Sequence, residues 1–123
     1  MKLKVITLAL LLTALGAFCR EQRMDLQAEY ANYNAVYFAD ALPKDTRVIW
    51  ADLTAKSRMG ETESENGHYT IRIDRTTNVT VSTIRLTLVH EMCHVKVPDP
   101  FHGSQFQSCM MDLAAAGALN DLW

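Results

Sequence analysis

Hydrophobic and polar positions change rhythm several times along this chain of 123 residues, and each change predicts an element. From Asp25 to about Ala41, the residues Leu26, Tyr30, Tyr33 or Asn34, Tyr37 and Leu42 recur every three to four positions, which predicts a helix with one buried side. Leu42-Pro43 is its expected stop, because the residue before a proline is pushed out of helical conformation. Arg47-Val48-Ile49-Trp50 opens a short strand, and a second strand is expected near Leu53 to Glu63. Ser64-Glu65-Asn66-Gly67 reads as a turn, since Asn-Gly accepts the positive φ that a tight hairpin needs. In His68–Asp74, Tyr69, Ile71 and Ile73 alternate with polar residues, so one face is buried and the other wet. The pattern predicts a small antiparallel meander of about three strands.

The helical period returns from about Ser82 to Val95. Ile84, Leu88, Met92 and Val95 form one stripe, with Leu86, Val89 and Cys93 beside it, and a helix apolar on most sides is a buried one. Pro98-Asp99-Pro100 ends it, and His102-Gly103 leads into a last helix. There, Ser104 and Gln107 have capping-box spacing, Phe106, Met110 and Leu113 form the apolar stripe, and Ala114-Ala115-Ala116-Gly117 is the end. Asn78-Val79-Thr80 formally fits a glycan acceptor but reads as loop and helix-start chemistry. The fold class is therefore α+β, in one domain over about residues 25–120, without repeats.

Residues 1–19 read differently. Lys2 and Lys4 precede an almost wholly apolar stretch, Val5 to Leu15, and small residues follow before Arg20 and Glu21. This is the pattern of a secretory signal peptide, or of an N-terminal membrane anchor where it is not cleaved. Its loss would remove two of 12 basic residues and none of the 14 acidic ones, taking the formal charge from -2 to about -4. Such a chain is poorly suited to grip phosphates, so nucleic acid is not the expected partner. Of the cysteines after the leader, Cys93 and Cys109, separate burial is expected over pairing, although export leaves pairing open.

The chemistry lies in His90-Glu91-Met92-Cys93-His94. Two histidines four apart on a helix project from nearly the same face, with the glutamate about 60° to one side of His94. Two nitrogen ligands, an adjacent base and open coordination positions suit a zinc hydrolase. Two imidazoles and a carboxylate on a buried helix are costly unless something satisfies them, and a metal does so directly. A third ligand is expected downstream. His102 is the first choice, because the proline-bounded turn can fold the chain back and Gly103 lets the backbone pass close. Asp99 is the fallback, Asp112 reads as solvated, and His68 as a solvated loop residue. Cys93, about 100° around the helix from His94, points elsewhere.

These blocks resemble the SprT-like metallopeptidase family, which includes bacterial SprT and the eukaryotic DNA–protein-crosslink protease Spartan. The resemblance covers about residues 25–118. It rests on Tyr37-Phe38, Leu42-Pro43, Arg58-Met59-Gly60, the run from Leu86 to His94, and His102-Gly103-Ser104-Gln105-Phe106. It implies a minimal zincin-like domain, one catalytic Zn2+ held by His90, His94 and His102, and Glu91 as general base. The function expected is hydrolysis of peptide bonds by an exported zinc peptidase acting on a protein or peptide. The alternatives are a catalytically silent zinc-binding accessory protein and a DNA-associated protease like the better-known relatives. An export leader, and no zinc ribbon or DNA-binding tail before Trp123, weigh against the last.

Overall fold

The computed structural model describes residues 23–122; the expected leader at 1–19 lies outside the described residues. Helix α1 (Leu26–Tyr37) starts at Asp25, whose carboxylate accepts from the Ala28 N–H, and buries Leu26, Tyr30, Tyr33 and Asn34. It stops at Tyr37 rather than near Ala41, because Ala39 and Asp40 adopt left-handed conformation. Asn34 holds that bend from inside: its side chain both donates to the Leu42 carbonyl and accepts from the Leu42 N–H, each at 3.0 Å. A buried amide satisfied on both sides fixes the chain reversal.

The strands are β1 (Arg47–Ala51), β2 (Gly60–Glu65) and β3 (His68–Asp74), in the spatial order β1-β3-β2. This corrects the meander. β2 and β3 form the expected antiparallel hairpin across Asn66 and Gly67, both at positive φ, but β1 pairs with β3 in parallel. The physical reason is burial: Ile71 and Ile73 are the most enclosed hydrophobic residues of the strands, and inserting β3 centrally covers them from both sides. Residues 52–59, including a single 3-10 turn at Thr54–Lys56, carry the chain across to the far edge, so β2 begins later than expected.

Asp74 anchors this crossing. Its buried carboxylate accepts from the Leu53 N–H at 2.8 Å, from the Thr77 N–H and hydroxyl, and from the Thr76 hydroxyl. Those donors, the Leu53 amide foremost, hold its pKa down to about 2.

Helix α2 (Val81–Lys96) opens on a reciprocal capping box between Thr80 and Thr83, and packs on β2 and β3. Asn78 is buried, with its amide nitrogen bound to the carbonyls of Met59 and Asp74 and its oxygen to the Thr87 hydroxyl. It is a lock between β2 and α2, which leaves no room for a glycan in the folded chain. Helix α3 (Ser104–Ala115) lies against α2. Its expected capping box is absent: Gly103 is the N-cap, and Ser104 is already the first helical residue.

α2 and α3 are joined by a disulfide between Cys93 and Cys109, with Cα atoms 5.9 Å apart. The expectation of two separate thiols is thereby overturned, because side-by-side helices bring both residues into the same buried seam.

The two sheet edges differ. On β1, the Val48 N–H donates to the Gln27 side chain of α1, which covers that edge. No strand among the described residues pairs with the outer side of β2.

Candidate metal centre

Helix α2 presents His90 and His94 one turn apart, half-buried, and the 97–103 turn returns His102 over them. The His102 Nε2 lies 3.1 Å from the His90 Nε2 and 3.2 Å from that of His94. Asp99 shapes this turn. Its carboxylate accepts from the Phe101 N–H at 2.9 Å, and a Cβ at Gly103 would come within 3.0 Å of the same carboxylate. The close approach expected of Gly103 is thus realised. The Asp99 carbonyl faces the His94 Nδ1 at 3.4 Å, so a proton carried there leaves Nε2 bare toward the cluster. Gln107, one turn into α3, donates to the His102 carbonyl at 2.9 Å and pins the third histidine from behind.

Phe106 floors the cluster, its ring centroid 4.8, 4.4 and 4.7 Å from the rings of His90, His94 and His102. Burial, assisted by the neighbouring His94 and His102, lowers the His90 pKa to about 4. Burial also lowers that of His94. Both are therefore neutral near pH 7, with lone pairs available.

The donor chemistry fits a zinc ion. Two nitrogens bound tetrahedrally at about 2.05 Å would sit roughly 3.3 Å apart, close to the spacings found. Hydrogen bonding alone accounts for them less well, because the His102 Nε2 carries at most one proton and has two nitrogen neighbours.

Glu91 lies beside this triad in sequence but faces β2. Its side chain is buried, and one oxygen accepts from the Thr62 hydroxyl at 2.7 Å. Burial raises its pKa; the Thr62 hydrogen bond opposes this.

The structure thus brings His90, His94 and His102 together. It leaves out the fallback ligand Asp99, which is a turn former, and, as expected, Asp112, exposed on α3, and His68, which pairs with Asp45 at 2.7 Å on the surface. Cys93 is consumed in the disulfide. Sequence reasoning missed Thr62 as a partner of Glu91, since no local signal links residues 29 apart. It placed Phe106 in the helix stripe and in the block that carries the resemblance, but not under the three imidazole rings, although its spacing of four from His102 is a hint of that.

The SprT-like family profile matches residues 26–121, and the chain belongs to that family. A search of curated proteins finds no match. Among solved structures, the chain is similar to the crystal structure of the metallopeptidase zymogen abylysin from Pyrococcus abyssi, with a TM-score of 0.54. Identity is 14%, over 79% of this chain and 87% of that one, a likeness of fold.

Proposed function

We propose that the protein is an exported zinc-dependent peptidase in which His90, His94 and His102 hold the ion and Glu91 is the general base. The observation that carries this reading is the convergence of three imidazole nitrogens, two of them from the helix that also carries the buried Glu91 carboxylate. Bound zinc supplies Lewis acidity, acidifying water and polarising a carbonyl. Glu91 accepts the proton from the attacking water and later delivers it to the leaving amine, a role that suits a carboxylate whose pKa burial has raised.

The substrate strand adds to β2. β3 is paired on both sides and has no free edge. Among the described residues no strand covers the outer side of β2, and it lies on the Glu91 side of the sheet. On the sheet face turned away from α2, Lys56, Arg58 and Arg72 are met by Glu61 and Glu63, which favours a protein or peptide substrate over nucleic acid.

Export is supported by the leader-like pattern at residues 1–19 and by the Cys93–Cys109 disulfide, a bond that persists in oxidising compartments. Among the described residues no helix is long and apolar enough to cross a membrane, so the leader is the segment through which an anchor would act. Replacing Glu91 by Gln tests the chemistry. The variant is expected to keep its zinc and lose cleavage of an unfolded protein; cleavage at the wild-type rate rules the mechanism out.

A further inference from the structure

We infer that Thr62 is a positioning residue for Glu91, an inference whose consequence for turnover rests on the peptidase reading above. Thr62 sits on the free-edge strand β2 opposite Ile71, a register that turns its side chain toward α2. Its hydroxyl oxygen lies 2.7 Å from Glu91 Oε2 and 3.2 Å from the Glu91 backbone carbonyl. A hydroxyl has one proton to give, and the nearer, charged acceptor takes it. Among the described residues, this is the donor the buried Glu91 carboxylate has from protein.

Gly60 completes the wall. A Cβ there would stand 3.1 Å from both Cγ and Oε1 of Glu91 and 2.8 Å from the Thr87 side chain. Gly60 thus makes the space and Thr62 holds an oxygen in it. Glutamate has three side-chain torsions, and fixing the carboxylate in advance removes a search from each turnover.

The bond is not needed to keep β2 in place. β2 is paired with β3 along its length, and the Met59–Asn78–Thr87 hydrogen bonds tie its start to α2 independently. Removing the hydroxyl should therefore free the carboxylate without releasing the strand.

The test compares zinc-loaded wild type with Thr62→Val and Thr62→Ser, using an unfolded protein substrate and crystal structures of each. We expect Thr62→Val to retain zinc and KM while kcat falls about tenfold, and Thr62→Ser to stay within about twofold of wild type. In the crystals, the Glu91 carboxylate should leave its place in the Val variant while the three imidazoles stay. A Val variant with wild-type kcat, or with an unmoved Glu91, overturns the inference, as does a Ser variant no better than Val. If wild type is inert yet Glu91 moves only in the Val variant, the peptidase reading falls and the positioning role stands.

Discussion

The two halves of the site are built in opposite ways. The three imidazoles come from 13 consecutive positions, 90 to 102, and are braced by their neighbours: Asp99 turns the chain, Gln107 holds His102, and Phe106 lies under all three rings. The carboxylate half is assembled across the fold, from Glu91 on a helix and Gly60 and Thr62 on an edge strand some 30 residues earlier. On the proposed reading, a metal-binding half made by local geometry tolerates changes in the sheet, and a base held by tertiary register does not. Metal content and turnover should therefore respond to different substitutions.

The largest separation is expected for Glu91→Gln. It keeps the shape of the side chain and touches no imidazole, so zinc measured by atomic absorption should remain. Loss of the proton carrier should lower kcat by roughly a hundredfold to ten-thousandfold.

The disulfide tests the other half. Cys93 adjoins His94, and Cys109 lies on the same helix as Phe106 and Gln107, so the bond ties the ligand helix to its brace. With the cysteines 16 positions apart in sequence, replacing both by Ser should cost about 3 kcal/mol, read as a lower urea midpoint. An unchanged midpoint would show that the helix seam holds without it.

Gly60→Ala is expected to cost less, about 1–3 kcal/mol, because the new methyl meets Thr87 at 2.8 Å and the Glu91 side chain at 3.1 Å. It should lower activity while leaving zinc stoichiometry alone. A thermal melt and a metal assay on one preparation decide this.

The smallest effect concerns acid. The folded pKa of Asp74 is depressed from 3.8 to about 2, so its hydrogen bonds stabilise the fold above about pH 4. That contribution is lost as pH falls from about 4 to 2. The urea midpoint of wild type should drop through that window more steeply than that of Asp74→Asn, and parallel curves would contradict the assignment.

Legibility in the sequence follows the same division. His90, His94 and His102 could be read because a helical spacing of four and a proline-bounded turn are local facts. The Asn66-Gly67 hairpin and the helix starting near Asp25 were legible for the same reason. The parallel pairing of β1 was not, since nothing between Asp52 and Met59 announces that the chain skips a strand position. That skip also leaves β2, rather than β3, at the edge of the sheet. The Cys93–Cys109 bond needed the packing of two helices, and the Thr62–Glu91 bond needed a strand register. Periodicity predicts elements; it does not predict which neighbours they choose.

The claim beneath all of this is that residue 102 closes a three-nitrogen ion site. Zinc stoichiometry and affinity of purified wild type beside His102→Ala test it most directly. One tightly held zinc per chain in wild type, with affinity lost by a hundredfold or so in the variant, is the predicted result. A wild type that binds no zinc, or a variant that binds it equally well, would contradict it.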